Sequence, residues 1–198
     1  MERIISEIML LGIAYLFGSF PTGLVIAKAK ADVDLREVGS GNIGATNVAR
    51  TCGLNYGIAT FVIDMLKSII PVIIALKISP NAIFISLTAL AAILGHTNSL
   101  FLNFKGGKGV ATTIGAYLVI NPWGTIVALV LMFIIILIRG YVSLGSIFFV
   151  LIMPLFMLFQ KGFIYFLFSI IVMLIVLHKH RENIFRLLEG EENSWKKS

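Results

Sequence analysis

The sequence predicts an all-α polytopic membrane protein with about seven transmembrane helices, some of them short or broken. Of its 198 residues, 58% are hydrophobic and only 13% are charged, whereas a water-soluble domain has about 25% charged residues. The mean hydropathy of +0.97 leaves too little polar surface to cover a soluble globule. The apolar residues also form runs near the ~20 residues that a spanning helix needs. The chemistry of this chain is therefore expected in the connections between helices.

Seven apolar runs predict the helices in order: 8–27, 57–76, 82–95, 110–120, 123–138, 141–159 and 163–177. The first is a retained span rather than a signal peptide, because Glu2 and Glu7 stand where a basic cluster is required. The third and fourth are short for a ~30 Å bilayer core and are expected to tilt, to lean on neighbours or to continue through the polar segment between them. Asn121-Pro122 predicts a tight turn. Without repeats or linkers, residues 1–198 are expected to form a single domain.

Lys and Arg residues fall unevenly on the two sides of these seven predicted spans. The excess marks the cytoplasmic face, which predicts the N-terminus outside, the C-terminus in the cytoplasm and every long polar segment on the cytoplasmic side. Twelve residues lie on that side and three on the other: Lys28, Lys30, Arg36, Arg50, Lys105, Lys108, Arg139, Lys179, Arg181, Arg186, Lys196 and Lys197, against Arg3, Lys77 and Lys161.

The first polar segment with chemical potential is 39–50, GSGNIGATNVAR. Its glycines match G-x-G-x-x-G, but no strand or βαβ unit surrounds them, so a dinucleotide site is not expected. Closely spaced glycines let backbone N–H groups turn toward an anion. Ser40, Asn42, Thr46 and Asn47 add hydrogen-bonding groups, and the planar guanidinium of Arg50 suits phosphate. The density of these side chains favours an anion site over a merely flexible loop.

The second polar segment, 95–112, contains the run Lys105-Gly-Gly-Lys-Gly109. It is not a Walker A loop, because Gly109 follows Lys108 where Ser or Thr is required. It nevertheless places two cations before a helix predicted to begin near Val110, and a helix N-terminus binds anions through its N–H groups. His96 has no acidic residue five positions on, so a structural role is expected for it.

Two further segments also have an ordinary structural explanation. In Arg139-Gly-Tyr-Val-Ser143, the arginine and tyrosine suit a membrane interface, and Ser143 stands just inside a helix start. His180, Asn183 and Arg186 are three residues apart and fall near one stripe of a helix, which a membrane-surface helix would carry anyway.

Asp64 and Lys67 are ionisable residues within the second apolar run. They stand three residues apart on a predicted helix, close enough to pair. Charged groups at such depth are costly and suggest a function. A local ion pair, or a tie to the glycine loop, is expected rather than a transport relay.

Three polar blocks together resemble those of the acyl-phosphate-dependent glycerol-3-phosphate acyltransferases of bacterial membranes, the PlsY family. The blocks are GSGNIGATN..R at 39–50, GH.....FKGGKGVAT at 95–112 and HRENIFRLLEG at 180–190. They occur in the family's order and the resemblance covers nearly the whole chain. Two departures are Ser99, where the family usually has Pro, and Lys179, where it usually has Arg.

The resemblance implies transfer of a fatty acyl group from acyl phosphate to the 1-position hydroxyl of glycerol 3-phosphate, giving lysophosphatidic acid and phosphate in bacterial phospholipid synthesis. It implies no cofactor, metal or nucleic-acid partner. The expected partners are glycerol 3-phosphate, fatty acyl phosphate and membrane lipid. The expected location is the bacterial cytoplasmic membrane, with the active site facing the cytoplasm. The oligomeric state is left open, and a monomer is compatible with the sequence.

Carried over by position, the resemblance assigns catalysis to Lys108, His180 and Ser143. Ser143 and the backbone of 105–109 would hold the acyl phosphate. The remaining assigned residues would form the glycerol-phosphate and catalytic pocket. The residues assigned to substrate binding are Ser40, Asn42, Asn47, Arg50, Lys105, Gly106, Gly107, Gly109 and Asn183.

The expected mechanism depends on positioning and charge stabilisation, because acyl phosphate is a mixed anhydride with a good leaving group. The hydroxyl would attack directly, with Lys108 and backbone N–H groups stabilising the developing charge, and the proton would pass to a substrate phosphate or to His180. The alternative function is a membrane carrier for small phosphorylated anions. A carrier would place polar groups at the bilayer midplane in broken helices, whereas most polar groups here gather at one face.

Overall fold

The computed structural model describes residues 1–195, and these form ten α-helices and one 3₁₀ turn, with no strand among them. The all-α prediction is confirmed. The helices are α1 (Glu2–Ser19), α2 (Thr22–Ala31), α3 (Ala45–Cys52), α4 (Leu54–Ile78), α5 (Ala82–Thr97), α6 (Val110–Ile120), α7 (Pro122–Arg139), α8 (Val142–Lys161), α9 (Phe163–Lys179) and α10 (Arg181–Glu189), with the 3₁₀ turn at Leu100–Leu102.

Six of the seven predicted apolar runs each lie on one helix and the first is divided between α1 and α2, but not every helix has the length of a membrane span. Five segments are long and apolar enough: Glu2–Ala31, Leu54–Ile78, Ala82–Leu102, Pro122–Arg139 and Val142–Lys161. A sixth joins α9 to α10 across a 60° bend. Helix α6 has 11 residues, which give about 16 Å at 1.5 Å per residue, half of a bilayer core.

Proline and asparagine residues set the helix boundaries. Pro21 cannot donate a backbone N–H, and the first apolar run divides there into α1 and α2. The Asn121 side chain accepts from the Gly124 N–H at 3.1 Å, with Pro122 in the first turn of α7, as the tight-turn prediction requires. Asn81 caps α5 in the same way.

The chain divides into two compact units, Met1–Val119 and a second that begins at Ile120. In the first unit α1 packs on α5 and α4. Glycines allow this close approach, since a Cβ at Gly95 would lie 2.9 Å from the Ser19 backbone nitrogen. In the second unit α8 packs between α7 and α9. The prediction of a single domain over 1–198 stays a prediction, and Lys196 and Lys197 from the charge count lie outside the described residues.

The segment that follows α2 is held by a small apolar cluster of its own. Ala27, Leu35 and Val48 are fully buried in it, and they come from α2, the connecting loop and α3. Helix α3 in turn packs on α4, where a Cβ at Gly57 would be 2.9 Å from the Ala49 Cα. The glycine loop that precedes α3 is therefore held in place by the packing of α3 against α4, a membrane-spanning helix of the first unit.

Candidate active site

The glycine loop before α3 is shaped by one buried amide, that of Asn47. Its Nδ2 donates to the carbonyl oxygens of Leu35 at 3.1 Å and Val38 at 3.0 Å, and its Oδ1 accepts from the Ser40 N–H at 3.0 Å. The side chain is 1% exposed. Asn47 thus organises the loop, and its direct binding to a substrate stays a prediction.

The glycines of this loop serve its backbone geometry. Gly39 and Gly41 have φ values of +61° and +67°, a region that residues with a Cβ rarely adopt. A Cβ at Gly39 would also lie 3.2 Å from Asn47 Cγ and closer still to Oδ1. Asn42 Oδ1 accepts from the Gly44 N–H at 2.9 Å, one residue before α3. The loop therefore holds Ser40 and Asn42 half-buried.

Two arginine side chains lie near the glycine loop, Arg36 and Arg50. Arg50 is exposed in the last turn of α3. Arg36 makes hydrogen bonds to both oxygens of Asp34, and these lower the pKa of that carboxyl to about 2. Arg36 therefore makes a local pair with Asp34, and the assignment of Arg50 to a phosphate stays a prediction.

The KGGKG segment folds back onto the end of α5. The N–H groups of Gly106 and Gly107 donate to the carbonyl oxygens of Thr97 at 3.2 Å and His96 at 3.0 Å. A Cβ at Gly106 would lie 2.8 Å from the Thr97 carbonyl carbon, so only glycine fits. These two N–H groups donate to α5 in this structure, and the binding of acyl phosphate by the backbone of 105–109 stays a prediction. Gly106 and Gly107 let the segment pack against the end of α5.

The rest of the segment leads into α6. Lys105 is exposed and Lys108 is half-buried. Gly109 is buried with φ +84°, and its carbonyl accepts from the Thr113 N–H at 2.8 Å. Lys108 stands just before the N-terminus of α6, as predicted. The first N–H groups of a helix have no intrahelical partner.

Two hydroxyls in the first turn of α6 were missed by sequence reasoning. The Oγ1 atoms of Thr112 and Thr113 are buried and have no hydrogen-bond partner among the described residues. A buried hydroxyl left unpaired costs about 1–3 kcal/mol, which is a reason to expect a ligand or water there. The signal in the sequence was the Thr-Thr pair directly after KGGKGVA.

Ser99 ties the polar segment to α1. Its Oγ donates to the Ser19 carbonyl oxygen at 2.5 Å, and its own carbonyl accepts from the Phe104 N–H at 2.8 Å. Tyr15 adds a second tie, since its hydroxyl donates to the Asn98 carbonyl oxygen at 2.8 Å. The Ser99 hydroxyl therefore fixes this turn by a hydrogen bond to the end of α1.

In the second unit three predicted side chains meet on a carboxylate that sequence reasoning missed, Glu192. Ser143 Oγ donates to Oε1 at 2.9 Å, Asn183 Nδ2 donates to Oε1 at 2.8 Å, and Arg186 Nε donates to Oε2 at 2.9 Å. The backbone N–H of Trp195 donates to the Gly140 carbonyl oxygen at 3.0 Å and so fixes the end of this segment. The only signal was an acidic pair after Gly190 in an otherwise basic tail.

The charge on Glu192 is favoured by these contacts. Burial raises the pKa of its carboxyl, but the hydrogen bonds from Asn183, Arg186 and Ser143 outweigh burial and the pKa is lowered from its ordinary value of 4.5. At neutral pH the carboxylate thus links α8 and α10 through Ser143 and Asn183.

His180 lies at the bend between α9 and α10 and is 3% exposed. Its Nδ1 is 2.8 Å from the Val176 carbonyl oxygen, and because a carbonyl only accepts, Nδ1 carries the proton. In the neutral ring the lone pair is then on Nε2. The predicted stripe is partly correct, since Asn183 and Arg186 share Glu192 while His180 faces back toward α9.

The buried acid and lysine of α4 form the predicted local ion pair. Lys67 Nζ lies 2.5 Å from Asp64 Oδ1, with both side chains 3% exposed or less. The structure adds a neighbour that spacing did not indicate, because Asp64 Oδ1 is also 3.9 Å from His96 Nδ1. The carboxylate beside His96 comes from α4 and not from the residues that follow it.

The predicted residues thus divide between the two units. The first unit contains Ser40, Asn42, Asn47, Arg50 and the segment 105–109, and the second contains Ser143, His180 and Asn183. Within residues 1–195 no group of three His, Cys, Asp or Glu side chains is arranged to hold a metal ion.

Comparison with known proteins places this chain among named relatives. The family model for glycerol-3-phosphate acyltransferase matches residues 8–190. A glycerol-3-phosphate acyltransferase of Geotalea daltonii is 48% identical over 193 residues, which cover 97% of this chain and 99% of the relative. One of Nitratidesulfovibrio vulgaris is 46% identical over 192 residues, and there the chain spans only 59% of a longer protein.

A solved structure has the same fold. The crystal structure of PlsY, an integral membrane glycerol 3-phosphate acyltransferase, in its glycerol 3-phosphate form superposes with a TM-score of 0.92 at 41% identity and covers 96% of each chain. Its lysophosphatidic acid form gives a TM-score of 0.89 at 40% identity. This chain therefore belongs to the glycerol-3-phosphate acyltransferase family.

Proposed function

We propose that this protein transfers a fatty acyl group from acyl phosphate to the 1-position hydroxyl of glycerol 3-phosphate, giving lysophosphatidic acid and phosphate. The observation that carries the proposal is the basic glycine segment 105–109, which is folded against α5 and leads into the N-terminus of α6. A helix N-terminus preceded by lysine side chains is suited to binding phosphate groups. Both proposed substrates carry a phosphate, and the acyl chain of the donor suits a protein that is largely apolar.

In the first unit, the loop before α3 and the segment before α6 are proposed to bind phosphate. Ser40, Asn42 and Arg50 would bind glycerol 3-phosphate, while Asn47 holds the loop in shape. Lys108 and the first N–H groups of α6 would bind the transferring group. The buried hydroxyls of Thr112 and Thr113 lie in that same turn, and Lys105 would add charge from its exposed position.

In the second unit, Ser143 and His180 are proposed as catalytic residues and Asn183 as a substrate-binding residue. Glu192 holds Ser143 and Asn183 in a common hydrogen-bonded group. Its role would be to fix their orientation. His180 has its Nδ1 committed to Val176, so Nε2 is the ring atom suited to receive a proton.

The proposed chemical step is direct attack of the glycerol hydroxyl oxygen on the acyl carbonyl carbon. A new C–O ester bond forms, the C–O bond to phosphate breaks, and phosphate leaves with the bonding electrons. Lys108 and N–H groups at the start of α6 stabilise the negative charge on the carbonyl oxygen and the leaving group. The hydroxyl proton passes to a substrate phosphate or to Nε2 of His180.

The proposed setting is the bacterial cytoplasmic membrane, with both polar loops and the C-terminus in the cytoplasm and the N-terminus outside. This orientation follows the distribution of Lys and Arg residues, and it needs α6 to complete a crossing although it is only 11 residues long. Cysteines placed at Lys77 and Lys105, in a Cys52→Ser background, test it with a membrane-impermeant thiol reagent on intact cells. Labelling at position 77 and protection at 105 are expected, and the reverse would contradict the orientation.

Purified protein in detergent or lipid mesophase provides the test of activity. Inorganic phosphate should be released from acyl phosphate only when glycerol 3-phosphate is present, with lysophosphatidic acid formed in equal amount, and acyl-CoA should not replace acyl phosphate. Lys108→Ala is the reference variant, in which turnover should be strongly reduced but still measurable. Phosphate release that ignores glycerol 3-phosphate would contradict the proposal. Uptake of glycerol 3-phosphate into vesicles without product would favour the carrier.

A further inference from the structure

The ion pair between Asp64 and Lys67 is used by no step of the proposed reaction. Lys67 Nζ donates to Asp64 Oδ1 and to the Phe20 carbonyl oxygen, each at 2.5 Å. Phe20 lies at the break between α1 and α2, where Pro21 interrupts the helix. Because an apolar pair of the same volume often stabilises a protein as well as a buried ion pair does, stability alone does not explain these charges.

The carboxylate of Asp64 also faces the ring of His96. Its Oδ1 lies 3.9 Å from His96 Nδ1, and both side chains are buried. The opposite ring nitrogen, Nε2, is the atom nearest to the Cβ position of Gly107. The imidazole is therefore placed between Asp64 and Gly107, with one nitrogen turned to each.

The backbone of the same histidine supports the loop directly. The His96 carbonyl oxygen accepts from the Gly107 N–H at 3.0 Å, and Lys108 is the next residue. A second tie from α4 reaches the far side of the loop, where Ser68 Oγ donates to the Thr112 carbonyl oxygen at 2.6 Å. Helix α4 therefore contacts the supports of the loop on both sides of Lys108.

We propose that Asp64 and Lys67 are positioning residues for Lys108. The pair holds the His96 ring against Gly107, and the ring sets the distance between the segment 105–109 and the end of α5. The expected loss of turnover through Lys108 rests on the proposed acyl transfer, whereas the expected change in the position of the loop does not. Neither Asp64 nor Lys67 touches a substrate in this proposal.

The test replaces the pair by neutral side chains of similar size, Asp64→Asn with Lys67→Met, so that no charge is left unpaired. Thr60→Val is the matched control, because Thr60 lies one turn earlier on α4, is fully buried and loses a local bond to the Tyr56 carbonyl oxygen. Amide hydrogen exchange at Gly106 and Gly107 reports the loop without any substrate. We expect exchange at least tenfold faster in the Asn/Met variant and unchanged in the control.

Kinetics of acyl transfer then test the connection to Lys108. The Asn/Met variant should lose at least tenfold in kcat, and the same change should cost less than about twofold in a Lys108→Ala background, because residues that act through one another are not additive. His96→Asn should give the same two signatures and serves if the Asn/Met variant does not fold.

Two results would overturn the inference: wild-type exchange at both glycines in the Asn/Met and His96→Asn variants, or a loss of kcat that persists in full in the Lys108→Ala background. If the wild-type protein shows no acyl transfer, the proposed function fails, while the exchange measurement still decides whether the pair positions the loop.

Discussion

Gly107→Ala is the substitution whose effect follows most directly from the geometry of the loop. The added Cβ would lie 3.1 Å from both Cδ2 and Cε1 of His96 and closer still to Nε2. Apolar contacts are optimal at about 3.5–4.0 Å, so the ring or the loop must move by roughly 1 Å. His96 is buried and faces Asp64 on its other side, so the loop is the part expected to move.

The magnitude follows from this displacement. Overpacking of a buried position costs about 1–3 kcal/mol, and a shift of 1 Å at a catalytic group can cost on the order of 100-fold in rate. Since Lys108 is the next residue, we expect kcat/KM to fall by roughly 10- to 100-fold, with each 1.4 kcal/mol of lost transition-state stabilisation giving a factor of ten.

Gly12→Ala is the matched control, because a Cβ there meets nothing within 4 Å and the position is inside α1. Phosphate release and lysophosphatidic acid formation are measured for both variants, with thermal unfolding in the same detergent. The control should keep its rate within about twofold, since alanine favours a helix over glycine. A Gly107→Ala protein with the wild-type kcat/KM would refute the assignment of this glycine to loop geometry and the placement of Lys108 by it.

Three further substitutions and conditions test the rest of the site. Asn47→Ala leaves the carbonyl oxygens of Leu35 and Val38 and the Ser40 N–H without their partner, at about 1–3 kcal/mol for each group that stays buried. The KM for glycerol 3-phosphate should rise, and an unchanged KM and unfolding temperature would contradict the role given to Asn47. Glu192→Gln removes the charge that Arg186 binds at 2.9 Å and puts an amide where Oε2 accepts, which should lower kcat/KM about tenfold by loosening Ser143 and Asn183; Glu191→Gln is the control on the neighbouring residue. Because the folded pKa of Glu192 is lowered from 4.5, its contribution to stability is complete above that value and is lost as the pH falls through the lower folded pKa. The unfolding temperatures of wild type and Glu192→Gln should therefore differ at neutral pH and converge in acid, and a constant difference would contradict the charged link.

Much of the fold could be predicted because it depends on local composition. Six of the seven apolar runs each became one helix and the first became two, α1 and α2, since in a bilayer a helix satisfies its own backbone hydrogen bonds. Asn121-Pro122 became a capped turn, and Asp64 paired with Lys67 three residues on. The length of a run also limited what it could do, and α6 is short because its apolar stretch is short.

The site was predictable where a motif expresses a backbone requirement. Gly39 and Gly41 stand at positive φ, and Lys108 stands directly before α6. The motif did not show what the glycines contact. Gly106 and Gly107 were predicted as phosphate-binding N–H donors. In the structure their N–H groups donate to the carbonyl oxygens of Thr97 and His96 respectively, because the chain turns back on α5 at that point.

The sequence by itself determined that this chain is helical, suits a membrane, and carries basic glycine segments between its helices. Tertiary structure alone decided the partners of distant residues. Glu192 reaches Ser143 from the other end of the second unit, and Asp64 supplies the carboxylate beside His96 from a different helix. Helix formation depends on neighbours along the chain, whereas these contacts depend on how helices pack, and no short-range pattern encodes that packing.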